Sequence, residues 1–232
     1  MHDTCQAVTA DPDLIQRSWP KNEQPVARLL ALGPLALSDA EIVAVLLRKG
    51  CKDKSAVQLA RELLGSAGGI SGLLAASCSS LIGLEAKARL AAAVELARRA
   101  LAEGLRSSSA LTSPGAVRDF LRLTLHGKEH EVFMCIWLDA QHRVISCEEL
   151  FRGTLTQTSV YPREIVKAAL KSNAAAVLFA HNHPSGVAQP SQADELLTRN
   201  LKDALALIDC KVLDHFVVAK NHALSFAERG LL

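Results

Sequence analysis

Two short, continuous apolar runs in the second half of the chain constrain its fold more than any other feature. They are VFMCIWL at Val132–Leu138 and AVLFA at Ala176–Ala180. The first run is bracketed by charge and too short for a core helix, which is typical of a buried strand. A third strand is predicted at Val212–Ala219, and helical patterns begin at Pro162 and Ser191 between the strands. The second half therefore predicts an α/β domain.

The first half of the chain carries helical patterns and no strand signal. These patterns begin at Pro25 and end with a long Ala-rich helix that reaches Leu105. The following stretch, EGLRSSSALTSP, is rich in Ser and has no periodic apolar face, which is typical of a linker. We therefore predict a flexible arm at residues 1–24, an all-helical domain at 25–105, a linker at 106–112 and an α/β domain at 113–232.

The composition favours a cytoplasmic globular protein. Hydrophobic residues make up 49% of the 232 residues, which is ample for a core, and the formal net charge is only +2. A dedicated nucleic-acid binder usually has a stronger basic bias. No run has the ~18 apolar residues of a membrane span, and the N-terminus lacks a signal-peptide pattern. The six scattered cysteines include no CxxC pair, which indicates reduced thiols in the cytoplasm.

A cluster of metal-ligating residue types follows the second apolar run. His181 and His183 alternate just after the predicted strand, and a period of two puts both imidazoles on one side of the chain. Ser191 is a candidate N-cap of the next helix, with Asp194 in its first turn. A strand end and a helix start can direct these three ligands to one cation. Asp194 is equally explained as the capping-box partner of Ser191.

Two histidines and one carboxylate are the ligand set of a catalytic zinc site. They leave the fourth tetrahedral position open for water, whereas structural zinc sites use four protein ligands. Zinc lowers the pKa of such a water from ~15.7 towards ~7. The sequence thus predicts one zinc ion per chain, bound by His181, His183 and Asp194.

The complete string FAHNHPSGVAQPSQAD resembles the JAMM motif of the JAB/MPN metalloproteases. The strings ELFRGTL, YPREIVKAAL, VLDHFVVA and SFAERGLL, with LLALGPLALSDAEIVAVLLRKG in the first half, resemble the RadC family of bacterial proteins. The resemblance spans roughly residues 25–232. It implies an all-helical, helix-hairpin-helix-like unit followed by a cytidine-deaminase-like α/β JAB/MPN domain with a mixed sheet.

The resemblance also implies roles for individual residues. In JAMM enzymes the motif serine, here Ser191, helps to stabilise the oxyanion, and an upstream glutamate acts as general base. Glu131, directly before the first strand, matches the place of that glutamate best. Glu129 and Glu164 are the alternatives. His215 is either a group that orients a metal ligand or an ordinary buried histidine, and we leave it out of the metal set.

These roles imply a zinc-dependent peptidase or amidase that acts on a peptide or other amide-containing substrate. The pattern names neither a particular substrate nor an oligomeric state. A metal-dependent nuclease would use the same site.

The RadC resemblance carries an alternative function, a DNA-associated repair or recombination factor that uses the JAMM fold as a binding module. Helix-hairpin-helix units contact DNA phosphates through a Gly-hydrophobic-Gly turn. In this chain Gly83 is followed by Leu84 and Glu85, so the second glycine is missing and an acidic residue stands near the phosphate position. This departure favours a purely structural role for the hairpin.

Overall fold

The computed structural model describes residues 20–51, 54–75, 81–107, 114–125, 127–153, 160–219 and 222–232. Contacts divide the chain into two compact units, with the division between Val94 and Glu95. The predicted arm at residues 1–24 and the predicted linker at 106–112 fall largely outside the described residues. The bounds of the four predicted segments therefore stay a prediction.

The first unit is helical, as the sequence predicts. Its helices are α1 (Pro25–Leu32), α2 (Asp39–Leu47), α3 (Ala56–Ala67), α4 (Ile70–Ala75) and the first part of α5 (Leu84–Ser107). Helices α2 and α3 begin with capping boxes, Ser38 with Glu41 and Ser55 with Gln58, in which each serine hydroxyl accepts the N3 backbone N–H. Helix α3 is followed by Gly68 as its C-cap, with a φ of 73° that suits glycine.

A small apolar core holds these helices together. It is built mainly from one face each of α2 and α3, and Leu47 and Leu63 are almost completely buried in it. Ile82 closes the core at the end next to α5. Burial of these aliphatic side chains, at about 1.5–3 kcal/mol each, stabilises helices that would be too short to persist alone.

The second unit is a three-layer α/β domain around a five-stranded mixed sheet. Its elements are the remainder of α5, α6 (Pro114–Leu125), β1 (Val132–Leu138), β2 (Val144–Arg152), α7 (Pro162–Lys171), β3 (Ala176–Asn182), α8 (Gln192–Ala206), β4 (Lys211–Ala219) and β5 (His222–Ser225). The strand order is β2-β1-β3-β4-β5. Only β3 and β4 are parallel among these neighbours, and α8 is the crossover helix between them. The predicted mixed sheet is confirmed.

The two faces of the sheet bury alternate residues of the central strands. On β1, Met134 and Ile136 pack with α6, whereas Phe133 and Cys135 face the core that includes α7 and α8. This alternation explains why the strands read as continuous apolar runs, because both faces are covered. The odd-numbered residues of β3 share the face of α7 and α8, and this places its histidine beside the start of α8.

Among the described residues, none of the helices combines the length and the apolar character that crossing a membrane would require.

Candidate metal centre

Both histidines of the predicted site lie at the C-terminal end of β3. His181 is the last residue but one of the strand, and the backbone of His183 still donates to the carbonyl of Val218 on β4 at 2.9 Å. The chain then turns, and Gly186 N–H donates back to the His183 carbonyl at 3.0 Å. Gly186 has φ +83°, a conformation that favours glycine. The predicted alternation is correct, since the two Nε2 atoms lie 3.0 Å apart.

Asp194 lies in the first turn of α8, and its carboxylate serves the helix cap as well as the histidine cluster. Its Oδ2 accepts the backbone N–H and the hydroxyl of Ser191, each at 2.7 Å, and Ser191 Oγ accepts Asp194 N–H at 3.2 Å. The two carboxylate oxygens also face the imidazoles of His181 and His183. The two interpretations of Asp194, cap partner and ligand, are therefore compatible in one side chain.

With one ligand atom from each residue, the donor atoms of His181, His183 and Asp194 all lie within 4.8 Å of one another. His181 Nε2 lies 3.5 Å from Asp194 Oδ1, and His183 Nε2 lies 3.6 Å from Asp194 Oδ2. Zinc bonds of about 2.1 Å in tetrahedral geometry separate ligand atoms by about 3.4 Å. The side chain of His181 is 2% exposed and that of His183 is 18% exposed. The cluster is thus enclosed behind His181 and open towards solvent beside His183.

The cluster favours a negative carboxylate and a positive His183 in the metal-free protein. Burial opposes ionisation of Asp194, but the contacts with His181 and His183 outweigh it and hold the pKa of Asp194 well below its usual range. The hydrogen bond with Asp194 raises the pKa of His183 above its usual value, against the opposing effect of burial. A divalent cation would replace this positive charge next to the carboxylate.

The ring of His183 is oriented by the turn that follows it. Its Nδ1 lies 2.8 Å from the carbonyl oxygen of Val187, which can only accept a hydrogen bond. Nδ1 therefore carries the proton, and in the neutral ring Nε2 presents its lone pair to the cluster. Backbone carbonyls commonly orient metal-binding histidines in this way.

Glu131, the preferred candidate base, interacts electrostatically with the cluster. Strand β1 pairs with β3 with Phe133 opposite His181, and Glu131 lies two residues before Phe133, directly before the start of β1. The negative charge of Glu131 contributes to the raised pKa of His183. Glu129 is exposed two residues earlier, and the carboxylate of Glu164 pairs with Lys167 at 3.0 Å.

Asn182, between the two histidines, is a site residue that the sequence reasoning missed. It is 3% exposed, and its side chain contacts the segment that carries Glu131. Its Oδ1 accepts Val132 N–H at 2.8 Å, and its Nδ2 donates to the carbonyls of His130 at 2.9 Å and Lys128 at 3.4 Å. Three hydrogen bonds from one side chain fix the backbone on both sides of Glu131. The alternation of β3 indicates only that Asn182 points away from the imidazoles.

His215, left out of the predicted metal set, touches a predicted ligand directly. Its Nε2 lies 2.8 Å from His181 Nδ1, and its Nδ1 lies 2.6 Å from Thr198 Oγ1. The ring is completely buried, and burial lowers the pKa of His215 well below its usual value. His215 is therefore a buried histidine that also contacts His181. Thr198 was missed, although it lies four residues after Asp194 and so on the same helix face.

In the hairpin region that follows Gly83, the side chain of Arg89 bonds to the end of another helix of the first unit. Arg89 donates from Nε to the carbonyl of Leu46 and from Nη2 to that of Leu47, both at 2.8 Å, at the C-terminal end of α2. Glu85 is exposed and pairs with the same arginine at 3.5 Å. In this structure the guanidinium of Arg89 is therefore bound to the end of α2 and to Glu85.

Comparisons with known proteins agree with this architecture. A family model described as a RadC-like JAB domain matches residues 111–231, and one described as the UPF0758 N-terminal domain matches residues 16–89. A UPF0758 protein of Dechloromonas aromatica is 61% identical over 221 residues, which cover 92% of this chain and 98% of that protein. A UPF0758 protein of Nitrosospira multiformis is 59% identical over 219 residues, with the same coverage of both chains.

These matches cover both units, and the match to the RadC-like JAB domain includes the predicted ligands. The fold is the α/β domain that the JAMM-like string implies. The chain belongs to the UPF0758 (RadC) family and carries a RadC-like JAB domain.

Proposed function

We propose that this protein is a zinc-dependent hydrolase of the JAMM type, a metallopeptidase or amidase that binds one zinc ion per chain. The observation that carries the proposal is the convergence of His181, His183 and Asp194. The Nε2 atoms of His181 and His183 lie 3.0 Å apart and contact different oxygens of Asp194 at 3.5 and 3.6 Å, and one side of the cluster is open to solvent. Such a three-ligand set with an open position is the composition of catalytic zinc.

The chain's own groups supply the remaining chemistry of amide hydrolysis. Bound zinc supplies Lewis acidity, which polarises a carbonyl and lowers the pKa of water to about 7. Glu131, whose charge acts on His183, takes a proton from the attacking water and passes it to the leaving amine nitrogen as the C–N bond breaks. Ser191 is exposed, and its hydroxyl, which donates to Asp194 Oδ2 in this structure, turns to donate to the oxyanion that develops on the carbonyl. The products are a carboxylic acid and an amine.

The proposal includes a cytoplasmic location. The cysteines in the described part of the chain, Cys51, Cys135, Cys147 and Cys210, are all free thiols. Free thiols are typical of a reducing compartment.

Elemental analysis of protein purified without chelator tests the metal site. We expect one zinc per chain in the wild type and none in His181→Ala. A screen of peptides, isopeptides and small amides then tests hydrolysis, with chelator abolishing turnover and added zinc restoring it. A zinc-free wild-type protein, or hydrolysis that survives chelation, would contradict the proposal. Salt-dependent DNA binding by a zinc-free chain would support the binding-module alternative instead.

A further inference from the structure

A continuous line of hydrogen bonds runs from the backbone of one predicted ligand to the ring of another. Thr198 Oγ1 donates to the Asp194 carbonyl at 2.6 Å and also lies 2.6 Å from His215 Nδ1. His215 Nε2 in turn lies 2.8 Å from His181 Nδ1. Every side-chain atom in this line is buried, so each contact has to be a properly paired hydrogen bond.

The position of each proton follows from what each group is able to donate. A carbonyl oxygen only accepts, so the single proton of the Thr198 hydroxyl is used on Asp194. Thr198 Oγ1 can then only accept from its other neighbour, and His215 Nδ1 must carry a proton. Any other assignment leaves two acceptors 2.6 Å apart without a proton between them.

His215 carries no second proton in this environment. The ring is 0% exposed, and the aromatic rings of Phe133, Phe179 and Phe226 surround it with centroid distances of 5.5, 5.9 and 4.8 Å. Its two ring nitrogens contact a hydroxyl and another imidazole, not a carboxylate. A buried positive charge without a carboxylate partner is very costly, so the neutral ring presents Nε2 as an acceptor. His181 Nδ1 must therefore donate to it.

We propose that Thr198 and His215 are positioning residues that lock His181 in its Nδ1–H tautomer and so hold its Nε2 lone pair ready for the cation. This positioning role rests on the proposed function, in which His181 binds zinc. In His183 the carbonyl of Val187 has the corresponding effect, because it accepts the proton on Nδ1. The two histidines are thus fixed in different ways, one by a buried side-chain relay and one by an exposed turn. The relay also ties His181 to the first turn of α8, which carries Asp194.

Two-bond ¹H–¹⁵N correlation spectra of the ¹⁵N-labelled full chain test the tautomers directly. We expect protons on Nδ1 of both His181 and His215 in the zinc-free protein at pH 8 and in the zinc-loaded protein. A proton on Nε2 of either ring would overturn the proposal. The spectra of the zinc-free chain are sufficient to decide the tautomers. Failure of the proposed function would appear separately, as a wild-type protein that binds no zinc.

Zinc affinity of threonine variants, measured by competition with a chelator, tests the consequence. Thr198→Val keeps the shape and removes the hydroxyl, so we expect zinc to bind about 10- to 100-fold more weakly, as for other losses of groups that orient a metal ligand. Thr198→Ser keeps the hydroxyl and should keep the affinity. Thr124→Val is the matched control, because Thr124 Oγ1 is also buried but has no hydrogen-bond partner among the described residues.

The four chains give distinct outcomes. Weaker zinc binding in Thr198→Val alone, together with a changed proton position on His181 or His215, supports the relay. Equal affinity in Thr198→Val and Thr124→Val, with unchanged tautomers, overturns it. If Thr198→Val does not fold, as judged by circular dichroism, the wild-type spectra and the Thr198→Ser affinity still decide the question.

Discussion

The Oδ1 atom of Asn182 accepts the backbone N–H of Val132 at 2.8 Å, and this bond joins the strand of the two histidines to the residue that follows Glu131. The remaining bonds of Asn182 hold the carbonyls before Glu131. The relative position of the candidate base and the candidate ligands therefore depends on one buried amide.

Removing that amide should misplace Glu131 without removing a metal ligand. We expect Asn182→Ala to keep zinc, to lose on the order of 10²-fold in turnover as the base moves, and to lose about 1–3 kcal/mol of stability. Hydrogen exchange should show faster exchange of the Val132 amide. Asn200→Ala, at an exposed position of α8, is the control. Unchanged exchange at Val132 in Asn182→Ala would show that the amide does not hold this segment.

Glu131→Gln should separate zinc binding from catalysis. The amide keeps the size of the side chain but cannot accept the water proton, so we expect one zinc per chain and a loss of turnover of about 10²- to 10⁴-fold. Glu129→Gln, two residues earlier and exposed, should stay active. Elemental analysis and rate measurements on a substrate found by the screen give both quantities. An active, zinc-loaded Glu131→Gln protein would disprove the assignment.

The zinc-free protein should lose the stabilising contribution of His183 as the pH rises. Its hydrogen bond with Asp194 raises the pKa of His183 above the usual 6.5, so folding gains from protonation. That contribution is full below pH 6.5 and disappears as the pH rises through the raised pKa. Urea unfolding of wild type and His183→Gln in chelator, from pH 6 to pH 9, measures it. We expect the difference in unfolding free energy to shrink with rising pH; a constant or growing difference would contradict the ion pair.

His215 should limit stability on the acid side of the same range. Burial lowers the pKa of His215 well below 6.5, so the unfolded chain binds a proton that the folded chain does not. Stability from this group is therefore lost as the pH falls below 6.5. The same unfolding series extended to pH 5 should show this decline, and it should be smaller in His215→Phe, whose ring cannot be protonated.

Adding zinc should stabilise the fold against unfolding only when the ligand set is intact. A cation that binds the folded chain at 100 times its Kd adds about 2.7 kcal/mol, less any binding to the unfolded chain. Thermal unfolding with zinc and with chelator should differ for wild type, and the difference should be absent in Asp194→Ala. Because Asp194 also caps α8, Asp194→Asn, which keeps an oxygen for the cap, is the companion variant. An equal zinc shift in all three chains would place the ion elsewhere.

Local pattern was sufficient to predict the helices, the buried strands and the candidate cluster. Capping boxes such as Ser38 with Glu41 lie within four residues, and apolar runs such as Val132–Leu138 reflect burial on both faces of a strand. His181 and His183 are joined by the two-residue period of one strand. In each case the relevant residues are close in sequence, so covalent geometry and periodicity already limit where they lie.

The contacts that tune the cluster join residues far apart in the chain. The sequence by itself determined which side chains could bind a cation and that the chain is RadC-like. Only the tertiary structure showed that the charge of Glu131 acts on His183, that Asn182 bonds Val132, 50 residues earlier in the chain, and that His215 bridges Thr198 and His181. The reason is physical: strand order and register decide which distant residues become neighbours, and these depend on the packing of the whole sheet rather than on any local pattern.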